Sequence, residues 1–393
     1  MPEVDHAFDS WEIAAMRLIS CVFAVAAFAT SARADTTGAE LIDEANQLLI
    51  VGACADGTPA KVKPETIAAH CKDVRKVQDD YKKTWISEAV PFFAANVPKT
   101  IPKTVVYPFA GGDLSSALAV FPEADEITTL ALEPAGDPRV LSKLSEKQLK
   151  AALPIVAKEL RALYRLNYSH TMNMIGAMRS GELPAQLIFT LSALYLHGYE
   201  PVSMRYFALT DGGEIKYLTA QDLDKADAIK DVSKRNRVLA NVEIKFRKAG
   251  SKREQVYRHI VANLDDAHLK VNPAALTHLK AKGRVAAMTK AASFLLSFDD
   301  FKTMRQYLID HVDWMVSDAT GLPPKYGKPA GFEYETWGTF ERSEMDGGAA
   351  FSPVWANEFR AQPKRALKFR FGYPDIKFRN HLIIMRKAPN KGS

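Results

Sequence analysis

The sequence predicts an α/β fold built on a mixed β-sheet, and three observations predict it. Short apolar runs of strand character alternate with helical spacing through residues 101–200. A glycine turn, Ala110-Gly111-Gly112-Asp113, joins one of those runs to a helix. Beyond residue 200, paired runs flank Asp211-Gly212-Gly213 and Ala249-Gly250-Ser251-Lys252, the punctuation of β-hairpins. The 393 residues are 47% hydrophobic, enough for a large core.

Two N-terminal segments stand apart from that fold. Residues 1–15 (MPEVDHAFDSWEIAA) are acidic and unlike the start of a leader, so Met16 is read as the true start and 1–15 as a mis-assigned one. Residues 16–34 have the layout of a secretory signal peptide: Arg17, an apolar run from Leu18 to Ala29, then a small-x-small site at Ala32-Arg33-Ala34. That run falls short of the roughly 20 residues a membrane span requires. The expectation is cleavage after Ala34 and a periplasmic or secreted protein with no transmembrane span in its mature form.

Removing 1–34 leaves 50 basic and 42 acidic residues, a net +8 against +6 for the whole chain. Such a surplus is an ordinary surface charge, and it also suits contact with anionic envelope components. Of three cysteines, Cys21 lies in the leader. Cys54 and Cys71, an even pair close in sequence in an exported chain, favour a disulfide. The spacing is not C-x-x-C, and no His-x-x-His accompanies it as a metal partner would.

Residues 35–100 read as a helical N-terminal cap: apolar spacing predicts a helix within 36–50, and Pro64 opens a longer one that runs to Ile86. Residues 101–393 read as one α/β domain. Thr104 to Tyr107 is a strand, Leu114 to Phe121 a helix, and Glu126 to Leu132 a strand ending at Glu133-Pro134. This β–Gly turn–α–β–acid order is that of a first Rossmann-type unit. The fold class is therefore α/β, a Rossmann-like mixed sheet with a helical N-terminal cap and β-hairpin additions.

Residues 142–179 and 184–197 are predicted helices. Val202–Leu209 with Glu214–Thr219, and Val238–Arg247 with Gln255–Leu264, are predicted strand pairs. Residues 273–309 are read as helix, Trp314–Ser317 as a strand, 343–364 as loop, and Ala366–Phe371 with His381–Arg386 as a terminal hairpin. In Leu367-Lys368-Phe369-Arg370-Phe371 the strict alternation predicts a half-buried edge strand guarded by its charges, rather than a nucleic-acid surface.

The candidate site lies on the strand ends. Gly111 and Gly112 let a backbone come close to a ligand, and Asp113 opens the following helix. Glu133 stands twenty-two residues after Gly111, where a dinucleotide fold places its ribose-binding carboxylate. Asp318 follows a short strand and sits in a Gly/Pro turn, where loop carboxylates do chemistry or form Asx turns. Tyr164, Tyr168, Met172, Met174 and Met178 give one helical segment a soft apolar side, read as core. The histidines, His268 and His278 among them, form no ligand pattern. No His-Glu-x-x-His, Gly-x-Ser-x-Gly or phosphate-binding P-loop motif occurs.

Residues 104–134 resemble the first βαβ unit of class I S-adenosylmethionine-dependent methyltransferases. The resemblance implies that Gly111 and Gly112 are the cofactor turn and Glu133 the ribose acid. The turn departs from the family's acid-x-Gly-x-Gly-x-Gly: Tyr107 to Asp113 reads YPFAGGD, with no acid before two adjacent glycines. The same segment, with Lys290-Ala291-Ala292-Ser293-Phe294 and the turn from Asp318 to Pro324, also resembles uncharacterised bacterial exported proteins. They carry a Tyr-Pro-Phe-x-Gly-x-Asp…Leu-Glu-Pro pattern, which implies a fold and no activity.

Three functions are compatible with these residues. One is an exported non-catalytic protein that binds a small polar or anionic ligand at the Gly111-Gly112 turn, or an envelope partner, with Asp113 and Glu133 accepting hydrogen bonds. Another is a methyltransferase-fold enzyme, active or degenerate. The third is an envelope hydrolase in which Asp113, Glu133 and Asp318 converge. No cofactor, metal or nucleic-acid partner is expected.

Overall fold

In the computed structural model, residues 38–59, 62–166, 183–340, 352–372 and 380–387 are described. Residues 16–34, read above as a leader, and Tyr168, Met172, Met174 and Met178 lie outside them. The chain opens with α1 (Ile42–Ala53) and α2 (Pro64–Tyr81), which starts on Pro64 as its first helical residue. The predicted continuation to Ile86 is instead a π-helical turn, Lys82–Ile86, followed by α3 (Ser87–Asn96). Cys54 and Cys71 are at bonding distance, with sulfurs 2.13 Å apart, and tie the end of α1 to α2.

The first β–α–β unit lies within a residue of its expected bounds: β1 (Thr104–Pro108), α4 (Leu114–Val120) and β2 (Glu126–Ala131). Alternation on β1 divides the molecule. Val105 and Tyr107 face one core and Val106 the other, as the two-residue period of a strand dictates. Next come the short α5 (Val140–Lys143), α6 (Glu146–Leu166) and α7 (Ala185–Leu196), whose residues are buried almost throughout. The hairpin strands follow as β3 (Tyr199–Leu209), β4 (Ile215–Tyr217), β5 (Asn241–Lys248) and β6 (Glu254–Val261). Helices α8 (Ala220–Asp227) and α9 (Val232–Val238) fill the connection before β5, so Val238 ends a helix instead of starting a strand.

Residues 273–309 are not one helical run. They hold α11 (Ala274–Ala281, after α10, Asp266–Val271), a central strand β7 (Val285–Thr289), a 3-10 turn (Ala291–Ser297) and the start of α12 (Lys302–His311). The sequence Val-Ala-Ala-Met-Thr is buried at every position, so it lacks the alternation that marks a half-exposed strand. Strand β8 (Val312–Ser317) follows, then α13 (Pro324–Gly327) and β9 (Phe332–Gly338). The region read as loop contains α14 (Ser352–Ala361), anchored by the fully buried Trp355.

Strand β10 (His381–Lys387) corrects the terminal hairpin. It pairs antiparallel with β8 on one side and β9 on the other, while 366–371 lies outside the sheet. The alternation there is real but serves another purpose. Phe369 and Phe371 are buried against the aromatic rings of α3 while Lys368 is exposed.

The ten strands form one sheet in the order β4-β3-β5-β6-β2-β1-β7-β8-β10-β9. Strands β6, β2, β1, β7 and β8 are parallel, and the flanking pairs are antiparallel. Counted among the parallel strands alone, the order is 3-2-1-4-5, that of a dinucleotide-binding fold. Helices α1 to α4, α6 and α7 cover one face, and α10 to α12 with α14 cover the other. Both faces of the parallel strands are therefore dry, as such sheets require. Among the described residues no helix is long and apolar enough to cross a membrane.

Candidate functional site

The topology selects one place on this sheet. From β1 the chain winds outward through β2 to β6, then returns across the sheet to β7 and winds the other way to β8. The loops after β1 and β7 therefore diverge, and such a switch point, at the carboxyl ends of the strands, is where open α/β sheets bind ligands. Here it is formed by Phe109 to Asp113 after β1, Lys290 and Ala291 after β7, Asp318 to Thr320 after β8, and Leu132 and Glu133 after β2.

The backbone is strained at this point. Phe109 (φ 59°) and Ala291 (φ 54°) hold left-handed conformations without being glycines, each at a cost of about 1–3 kcal/mol. Gly111 (φ 52°) takes the same conformation freely. The turn at Ala291 aims its backbone N–H at Asp318 Oδ2, 3.2 Å away.

Asp113 caps α4, its Oδ1 accepting from the Ser116 N–H at 3.3 Å. Its Oδ2 accepts from Lys290 Nζ at 2.9 Å and from the Tyr107 hydroxyl at 3.4 Å. The Lys290 ammonium also donates to Ser116 Oγ at 3.1 Å and lies 4.7 Å from the centre of the Phe371 ring. Lys290 is wholly shielded from solvent, so its charge is met inside the protein by a carboxylate, a hydroxyl and an aromatic face.

Asp318 is fully buried as well. Its carboxylate accepts from the Thr320 N–H at 2.9 Å, from the Thr320 hydroxyl and from Ala291. Burial raises it to about 6, although those hydrogen bonds and the Lys290 charge pull the other way. Asp113 and Asp318 both raise the Tyr107 hydroxyl, whose burial is the larger cause. The two acids and Lys290 thus form one buried polar cluster.

Glu133 is placed differently. It lies at the end of β2, nearly buried, with exposed Leu132 beside it. Burial raises its carboxyl, and among the described residues its partners are the backbone N–H groups of Leu132 and Glu133 itself. Its own carbonyl oxygen is 2.7 Å from His259 Nε2, in a histidine held neutral by burial at about 4. Lys290 bonds Asp113 and its charge acts on Asp318, whereas no hydrogen bond found among the described residues links the Glu133 carboxyl to either acid.

The two glycines of the turn are closed. A Cβ on Gly112 would lie 2.7 Å from the Phe189 ring of α7, and the Gly111 carbonyl accepts from Gln186 Nε2 at 2.9 Å. Gly112 therefore permits close packing of α7, a neighbour that the sequence of the turn does not reveal. Lys290 and Thr320 stand in segments that the sequence singles out, yet the sequence assigns neither a place in the site. Lys290 follows a strand that carries no alternation, so nothing local marked it as a strand-end residue.

His268 bonds its neighbour Asp265, and the His278 ring lies 2.9 Å from the Gly213 carbonyl. Among the described residues, no group of three or more His, Cys, Asp or Glu is arranged to hold a metal ion. No family model, no curated protein and no solved structure matches this chain.

Proposed function

We infer that the protein is an exported binding protein that takes a small, hydroxyl-bearing polar ligand at the C-terminal edge of its sheet, with Glu133 as acceptor. The observation that carries this is the Glu133 carboxyl, nearly buried at the end of β2 with only backbone partners. A buried carboxyl without a side-chain partner is costly, so its retention argues for a partner that arrives with a ligand. Asp113, Lys290 and Asp318 form the rigid floor of that edge, and Gly111 and Gly112 bring α7 against it. The Cys54–Cys71 bridge supports export, since disulfides persist in oxidising compartments.

A methyltransferase-fold enzyme, active or degenerate, is the second reading. The 3-2-1-4-5 order of the parallel strands favours it, with β2 ending on the acid. Against activity stand the Phe189 ring at Gly112 and the compartment, where S-adenosylmethionine is not expected.

Thermal-shift screening of the chain from Asp35 against neutral sugars and nucleosides, followed by calorimetry, tests both readings. The expected result is a ligand whose affinity falls at least about tenfold in Glu133→Ala, as loss of a hydrogen bond to a charged group implies. No heat is expected with S-adenosylhomocysteine. Unchanged affinity in Glu133→Ala would overturn the first reading, and tight S-adenosylhomocysteine binding would favour the second.

A further inference from the structure

A cavity of about 540 Å3 opens on the helical face of the molecule between α2, the π-helical turn, α6 and residues 368–370. Its lining carries Lys76, Arg161, Arg165, Lys368 and Arg370 against one acid, Asp80. Arg161 and Arg165 stand four residues apart on α6, the spacing at which like charges on a helix repel each other. Lys76, Arg161, Arg165 and Lys368 are exposed, and none of them has an ion-pair partner among the described residues. Some cations elsewhere are paired, as where Glu126 engages both Lys282 and Arg258.

The cavity's floor is aromatic. Tyr81 stacks on Trp85 with ring centres 5.1 Å apart, and Tyr164 packs on Tyr81 at 4.7 Å. Trp85 Nε1 donates to the Arg370 carbonyl at 2.5 Å, which ties the π-helical turn to the opposite wall. The π-turn, with Ser87 N–H bonded to the Lys82 carbonyl five residues back, is a local departure from α-helix of the kind found at functional sites.

We propose that this groove binds a phosphate-bearing ligand carrying two or more negative charges. Four unpaired cations from three separate segments converge on one concave surface. Guanidinium groups match phosphate oxygens in paired hydrogen bonds, and flanking ammonium groups add point charge. The volume exceeds what a lone phosphate fills and falls in the range of small-molecule sites. A single carboxylate would leave most of the cations unmatched. The site is separate from the sheet edge and does not depend on the reading of Glu133.

The test uses two probes on the chain from Asp35: inorganic pyrophosphate by calorimetry, and phosphatidylglycerol vesicles by co-sedimentation, with phosphatidylcholine vesicles as reference. At least one probe is expected to bind, more weakly as salt rises. Binding should fall at least about tenfold in Arg161→Ser/Arg165→Ser and several-fold in Lys368→Ser. Lys252→Ser/Lys270→Ser, which removes the same charge from other exposed positions, should leave it unchanged, as should Glu133→Gln. Binding of pyrophosphate assigns a soluble phosphorylated ligand, and binding of vesicles alone assigns a lipid headgroup. Failure of both probes, or an equal loss in the Lys252/Lys270 variant, overturns the proposal.

Discussion

Lys290 Nζ lies 2.9 Å from Asp113 Oδ2 with both side chains out of solvent, so the end of β7 is bolted to the turn after β1 across the switch point of the sheet. Such a pair is worth little against an apolar replacement and much against the loss of one member. Lys290→Met leaves the Asp113 carboxylate buried without its cation and is expected to cost about 3–5 kcal/mol in urea unfolding. Lys290→Met combined with Asp113→Asn removes the stranded charge, keeps an N-cap, and is expected to recover most of that loss. Equal stability of the single and double variants would show that the ion pair is not what holds these loops.

Asp318 gives stability one pH dependence. Its raised value of about 6 means that the folded state keeps a proton that the unfolded chain releases near pH 4. The contribution is present below about pH 4 and is lost as pH rises through about 6, an effect on the order of 3 kcal/mol at about 1.4 kcal/mol per pKa unit. The difference in stability between the wild type and Asp318→Asn, followed by urea midpoints from pH 4 to pH 7, should shrink as pH rises. A flat difference would mean that Asp318 titrates normally.

Two buried histidines act in the opposite sense. Burial lowers His197, with Lys248 adding to it, to about 3, and burial lowers His259 to about 4. Their contribution is present above the ordinary value of about 6.5 and is lost as pH falls through their folded values. At pH 5 both rings should remain neutral by NMR. His259→Gln should blunt the loss of stability between about pH 6 and pH 4.

Gly112 tests the closed turn. Gly112→Ala places a methyl against Phe189 and is expected to cost about 1–3 kcal/mol, the range for overpacking. Adding Phe189→Leu should restore part of it. No cost in the single variant would mean that α7 does not press on this turn.

The cysteine pair bears on both stability and address. Cys54→Ala/Cys71→Ala is expected to lower stability by about 3 kcal/mol in the chain-entropy model. On the proposed export, the intact mass of the protein recovered outside the cytoplasm should place its N-terminus at Asp35 and show Cys54 and Cys71 oxidised.

Much of the fold was legible where the signal is local. β1, the turn, α4 and β2 follow from an apolar run, two glycines and an N-cap aspartate within thirty residues. β7 was not legible, because Val285 to Thr289 is buried on both faces and so shows no alternation, and its β-branched residues, Val285 and Thr289, stand only at its ends around Ala286, Ala287 and Met288. β9 did carry a signal. In Phe332-Glu333-Tyr334-Glu335-Thr336 the buried and outward residues alternate, and the strand was passed over in favour of a hairpin at 366–371.

Of the candidate site, Asp113, Glu133 and Asp318 were visible as acids at the ends of strands or in turns. The sequence by itself determined the two-cysteine staple, the capped turn after β1 and the acid after β2, because each depends on residues near one another in the chain. Only the tertiary structure decided that Lys290 meets Asp113 across 177 positions, that Phe189 closes Gly112, and that Glu133 stays apart. Parallel strands are joined by long crossovers, so the residues that meet at their ends leave no local pattern. Close packing then settles which glycine faces a ligand and which a neighbouring ring.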